Sequence, residues 1–175
     1  GIALVSSFVF GQVDHIVFTE VVITPSDGEY VEITNPTPSA IDLSNYYLTD
    51  GTDVSSAKFY YNLPSGSNYW SGSSSDFICS FPDNYSIPAG ASIKISLRDS
   101  DSYQNTYGVL ADLSLEDDML DAVESVSTIG SASRKLDNSS ESLVLFYWDG
   151  SSEVVKDIDY LLWGDNSFAI DKSDV

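Results

Sequence analysis

Positive charge is scarce: 7 Lys and Arg stand against 27 Asp and Glu, a formal net charge of -20 over 175 residues. Such a surface repels phosphate backbones and anionic lipid headgroups, which excludes nucleic acid and acidic membranes as partners. It suits a secreted protein in salty water, where screening weakens self-repulsion. Cysteine occurs once, as Cys79, so neither an internal disulfide nor a Cys-based zinc site can form, and a small buried core residue is expected there. Histidine also occurs once, as His15. With no Gly-x-Ser-x-Gly and no His-Glu-x-x-His stretch, base catalysis by histidine has a single candidate, and its place at the entry to a strand reads as a strand-end residue. No apolar run is long enough to cross a bilayer; the opening GIALVSSFVFGQ is apolar for only about ten residues.

A core is nevertheless available. Hydrophobic residues make up 42% of the chain and aromatics 13%, with 11 Tyr. Together with abundant Ser, Thr and Val this is strand-forming composition. The length suits one domain burying roughly 70% of its unfolded surface. Residues 1–11 read as the remnant of a secretory signal peptide, with Val9 and Gly11 at the −3 and −1 positions of a cleavage before Gln12. A basic segment ahead of it is missing, so the chain is expected to begin inside a longer reading frame. Residues 165–175 read as the start of a continuation, which leaves 12–164 as the domain.

Period-2 alternation and turn residues divide that domain. His15–Thr24 is expected as a strand buried on both sides, followed by a turn at Pro25-Ser26-Asp27-Gly28. Tyr30–Thr34 alternates and ends at Asn35-Pro36, where proline forbids continuation as a central strand. Further strands are expected at Ile41–Asp50, kinked at Ser44-Asn45, and at Lys58–Leu63. A long Ser/Gly/aromatic loop spans 64–86. After the Ile87–Gly90 turn, Ser92–Leu97 alternates with Ile93, Ile95 and Leu97 inward. Ser142–Trp148 and Glu153–Trp163 flank Asp149-Gly150, a two-residue hairpin signal. One helix is expected, capped by Ser114 with Asp117 at the capping-box position and Leu115, Met119, Ala122/Val123 and Val126 on one face. About seven short strands with turns between them argue an antiparallel sandwich.

The order of pieces resembles the lamin tail domain family. The residues that carry the likeness are Thr19-Glu20, then Tyr30, Val31, Glu32, Ile33 and Asn35. Asp42-Leu43-Ser44 follows with Tyr46 (Trp is common at that position), then Pro88 and Gly90 ahead of the alternating strand. Residues 64–86 and 99–138 exceed the pattern and read as insertions. The resemblance implies an all-β, immunoglobulin-like antiparallel β-sandwich with long loop insertions. It also implies membership of a family found in filament-forming lamins and, in bacteria, in secreted or surface proteins, often beside hydrolase domains. A heptad rod and a basic import signal are absent from this sequence, so the filament role is not supported.

Few residues stand out for chemistry. Glu20 and Glu32 lie on neighbouring strands and face each other if the turn between them has the right length; a like pair then needs a shared proton or cation. Asp99-Ser-Asp101-Ser-Tyr103 opens like a calcium loop. Gln104 and Leu110 stand where such a loop needs Gly and Glu, which leaves a looser site using Asp99, Asp101 and Asn105 against a solvated turn. Tyr69 and Trp70, in SGSNYWSGSSSD, either bind a sugar or protein partner or pin their loop to the sandwich. No pair among the many carboxylates is marked for glycoside hydrolysis.

The sequence therefore reads as a non-catalytic, extracellular structural or interaction module of a larger secreted or surface protein. It has no cofactor, and its partner is a protein or a polysaccharide at the cell surface. The alternative is a carbohydrate-binding module, calcium-assisted near Asp99 and Asp101; a hydrolase using paired carboxylates is a third reading.

Overall fold

The computed structural model describes residues 13–53 and 56–164; residues 1–11, read above as a signal-peptide remnant, and 165–175, read as a continuation, lie outside the described residues. Two sheets stack as an immunoglobulin-like β-sandwich. The first has strand order β1-β2-β7-β8, from Val17–Val22, Tyr30–Thr34, Ser92–Ser96 and Leu113–Ser114. The second has order β11-β10-β4-β5-β9, from Lys156–Trp163, Glu141–Tyr147, Tyr46–Thr49, Ile78–Ser80 and Leu120–Asp121. A two-residue ribbon, β3 (Ile41–Asp42) with β6 (Ser86–Ile87), closes one end. All strand pairs are antiparallel except β7 with β8, which run parallel. The main core lies between the sheets: Val31, Ile33, Ile93 and Ile95 from the first meet Leu48, Leu143 and Leu145 from the second.

β10 is buried along its whole middle, from Ser142 to Phe146, which accounts for its unbroken apolar run. One face points into the sandwich. The other, with Val144 and Phe146, meets a second cluster containing Tyr47, Tyr60, Leu63, Tyr69 and Ile78. The long Ser/Gly/aromatic loop thus folds back over the outer face of the second sheet. Each large side chain so buried contributes roughly 1.5–3 kcal/mol.

Several expectations are corrected. β1 is an edge strand of the first sheet among the described residues, and it is not buried on both sides: Thr19 and Glu20 are exposed on the sheet's outer face. Lys58–Leu63 is not a strand; Tyr60–Ser65 is a 3-10 helix, in which Tyr60 and Leu63, one turn apart, share the buried side. The loop at 64–86 contains the short strands β5 and β6. The two-residue turn at Asp149-Gly150 is replaced by a longer connection from Tyr147 to Lys156. There Asp149 accepts from the amides of Ser151 and Ser152, satisfying a wider loop than a tight turn allows.

The helix expected after Ser114 is absent. Its cap forms: the Ser114 hydroxyl accepts from the amide of Asp117 at 3.2 Å, and the amides of Asp118 and Met119 both donate to the Ser114 carbonyl. After that turn the chain departs into β9, which pairs with β5. The open edge of β7, which recruits Leu113–Ser114 as β8, and the open edge of β5 outweigh one helix's local preference. A helix appears instead at α1, Ser100–Tyr107, where a turn was expected. Asp99 caps it, its Oδ1 accepting from the Ser102 amide at 2.8 Å, and Gly108 ends it in the left-handed conformation.

Candidate functional site

The outer face of the first sheet brings together Glu20 and Glu32 with Thr19 and Tyr30. Glu20 and Glu32 are direct cross-strand partners, with a bulge between Phe18 and Glu20 setting the register. Their repulsion is relieved by Lys94 of β7, which pairs with Glu32. Its Nζ lies 2.9 Å from Glu20 Oε2 and 3.4 Å from Glu32 Oε2. The Tyr30 hydroxyl donates to Glu20 Oε2 at 2.7 Å, and the ammonium sits 4.3 Å from the Tyr30 ring centroid. The hydrogen bond from Lys94 holds the Glu20 carboxyl below its usual range, and that bond in turn raises Lys94. Along the same face Thr19 donates to Glu32 Oε1, and the hydroxyls of Thr19, Thr34 and Ser92 chain together at 2.9 and 2.7 Å.

The other motif residues are turn-makers. Asn35 is fully buried. Its amide donates to the carbonyls of Ser39, Ile87 and Pro88, and its Oδ1 accepts from the amide and hydroxyl of Thr37. The Asn35 carbonyl also accepts from Gly90, whose φ of +70° suits the glycine of the Pro-x-Gly turn. The end of β2 is thereby tied to the turn before β7. Asp42 accepts from the amide and hydroxyl of Ser44, which breaks the strand expected over 41–50 at Ser44-Asn45 into β3 and β4.

Around α1, Asp99 is committed to its cap and lies 3.4 Å from Arg98; hydrogen bonds from the Ser102 hydroxyl and amide hold its carboxyl below the ordinary pKa. Asp101 and Asn105 are exposed on the helix, and among the described residues no group of three acidic, His or Cys side chains converges as a metal site. On the opposite side Tyr103 and Tyr107, one turn apart, pack edge-on against Tyr30 at 5.7 and 5.6 Å between ring centroids, and the Tyr107 hydroxyl donates to the Gly28 carbonyl. Gly28 is needed there: a Cβ would lie 2.8 Å from Thr106. Immediately beyond, Val109 and Leu110 are 60% and 61% exposed. The chain is fastened on their far side by Asp112, whose amide donates to the Lys94 carbonyl and whose carboxylate accepts from the Lys94 amide. This apolar tip carried no signal in the sequence, since Val-Leu there could equally begin a strand.

Tyr69 is 8% exposed and belongs to the second cluster, and Trp70 is partly buried against it. His15 is held to the exposed Asp14 at 3.0 Å. Cys79 is buried, its thiol donating to the Leu48 carbonyl, and burial pushes its pKa up. Two further carboxyls, Glu29 and Asp50, lie in the interior, and a third, Glu141, is partly buried. Burial raises all three above their ordinary values, Glu141 to about 7. Neither the pairing of Glu29 with the chain near Lys135 nor the depth of Asp50 was marked in the sequence.

No helix among the described residues is long and apolar enough to cross a membrane. No curated protein matches the chain. The family signature is accounted for residue by residue by hinges and cross-strand contacts of the sandwich. Residues 11–161 match the family model described as Lamin Tail Domain, and the chain belongs to that family.

Proposed function

We propose that this domain is a non-catalytic structural and interaction module of a larger secreted or cell-surface protein of bacterial type, and that it engages a protein partner. One observation carries the reading: the tip at Val109 and Leu110 exposes two branched apolar side chains on a loop fastened at both ends, by Tyr107 to Gly28 and by Asp112 to Lys94. A preorganised apolar knob loses little conformational entropy on docking. Its setting in a chain of net charge -20 favours a receptor pocket with a basic rim and disfavours nucleic acid and anionic lipid. The opening apolar segment and the acidic composition support secretion, with a mature N-terminus near Gln12.

The second reading, polysaccharide binding through Tyr69 and Trp70 with calcium near Asp99 and Asp101, has the loop composition in its favour. The burial of Tyr69 and the engagement of Asp99 as a helix cap weigh against it. A photo-crosslinking residue placed at position 110, and separately at position 70, in the protein expressed in its own host distinguishes the two. One discrete protein adduct from position 110 and none from position 70 is expected. Carbohydrate adducts from position 70 alone would establish the second reading, and adducts from neither position would overturn both.

A further inference from the structure

The segment Thr128–Asp137 runs as a strap across one end of the sandwich. It begins beside β5, where the Ile78 amide donates to the Thr128 carbonyl and the Thr128 hydroxyl donates to the Ile78 carbonyl. Gly130 and Ala132 donate to the carbonyls of Asp76 and Ser74. The approach there is so close that a Cβ on Gly130 would lie 2.2 Å from the Ser74 carbonyl oxygen. The strap then inserts Leu136 fully into the main core. Two successive amides at this end meet a carboxyl group: those of Lys135 and Leu136 donate to Glu29 Oε2 at 2.8 and 3.3 Å, while Glu141 lines one cavity with Lys135, Leu136 and Asp137. Glu29 is fully buried and its Oε1 has no hydrogen-bond partner.

We propose that this strap is a proton-held latch: the carboxyls of Glu29 and Glu141 keep it closed in their protonated state, and loss of those protons releases it. The chemistry follows from what surrounds the two groups. Glu29 faces Arg134 and Lys135 of the strap. Glu141 faces Asp76 and Asp137, and Asp76 and Glu141 in turn face the buried Asp50 at the end of β4. Lys135, its side chain wholly buried, donates to the Gly130 carbonyl, lies 3.9 Å from Glu116, and has Arg98 and Asp50 nearby. Arg134 is drawn to Asp137. The carboxyls outnumber the cations around the buried Glu29, Asp50 and Lys135, so full ionisation leaves uncompensated negative charge beneath the strap. A neutral Glu29 also has a proton for its otherwise unpartnered oxygen to donate. Opening widens the solvent-accessible cavity of about 280 Å³ lined by Ser75, Arg134, Lys135, Leu136, Asp137 and Glu141, and once hydrated both carboxyls return to ordinary acidity.

The sign is set by this difference. Glu141 binds its proton more tightly when the strap is closed than when it is solvated, so closure is favoured at low pH. Closure is progressively lost as pH rises from 4.5, the ordinary value, through about 7, the value in the closed state. Hydrogen exchange of the full chain, followed amide by amide and corrected for the intrinsic rate at each pH, reads the opening directly. The amides of Lys135, Leu136 and Asp137 should open roughly ten- to a hundredfold more often at pH 8 than at pH 5, and at both pH values far more often than those of Ile95 and Leu145 in the core strands, which open only with global unfolding. Glu141→Gln, which keeps an acceptor but cannot ionise, should flatten most of that dependence. Opening that is equal at the two pH values would overturn the latch. So would strap amides that open no more often than the core amides, or a Glu141→Gln protein with the wild-type dependence.

Discussion

At the scale of single residues, Asn35 explains why β2 stops where it does. Proline at 36 forbids continuation, but the fold is held at that point by the five hydrogen bonds of the Asn35 side chain. Asn35→Ala removes the side-chain donor to the buried Ile87 carbonyl and the acceptor for Thr37 and should cost about 2–4 kcal/mol in urea unfolding. Asn35→Asp keeps the shape but turns a carboxylate toward three carbonyls, so it should be at least as damaging at pH 7 and milder near pH 4; equal stability of the wild type and both variants would refute the role. The strand end at Asn35-Pro36 was legible because proline acts locally. The knot was not, because its acceptors lie some fifty positions away in the chain. The facing of Glu20 and Glu32 was readable only as conditional on the turn, and the cation that reconciles them, Lys94, became visible only once β7 was placed beside β2.

At the scale of elements, two capping signals compete for one insertion, and packing decides between them. Asp99 starts a helix because Tyr103 and Tyr107, at i and i+4, find Tyr30 to pack on. Ser114 closes only a single turn because β5 and β7 offer open edges on either side. Asp99→Ala should therefore destabilise the domain by about 1 kcal/mol, with loss of the α1 amide protection, whereas Ser114→Ala should show no comparable loss of helix by circular dichroism. The long loop makes a second case. Its composition reads as flexible, yet its Tyr69, together with Tyr60 and Leu63 of the 3-10 helix that leads into it, covers the outer face of the second sheet. Replacing Tyr69 and Trp70 together with Ala should lower stability by about 3 kcal/mol or more, read as a fall in melting temperature. An unchanged melting temperature with loss of binding to a glycan array would instead assign the pair to a ligand.

For the whole molecule, acid chemistry pulls in two directions. Hydrogen bonds from neighbouring Ser residues depress Asp42, Asp99 and Asp117, so their contribution is present above the ordinary carboxylate range and lost as pH falls below it. Burial raises Glu29, Asp50 and Glu141, so theirs is present at low pH and lost as pH climbs toward about 7 for Glu141. Global stability should peak in mildly acidic solution, near pH ~5, falling toward pH 8 and again below pH ~3. Urea midpoints across that range check it, and a monotonic rise to pH 8 would contradict it. The net charge of -20 adds a general term: raising ionic strength from roughly 10 mM to 0.5 M should raise the melting temperature by screening self-repulsion.

Composition, alternation and the order of short motifs determined the class of fold and the family, because those signals are local and the buried face of a strand is written every second residue. The hinge at Ser44-Asn45, the inward set Ile93, Ile95 and Leu97, and the buried Cys79 were legible for the same reason. Only the tertiary structure decided that β1 is an edge, that 64–86 folds back as a cover, that the insertion's helix begins at Asp99 and not after Ser114, and that Glu29 and Glu141 meet one strap. Each of these depends on which distant segment supplies a hydrogen-bond edge, an aromatic face or a low-dielectric wall. Such contacts are made across the sandwich and leave no period in the chain.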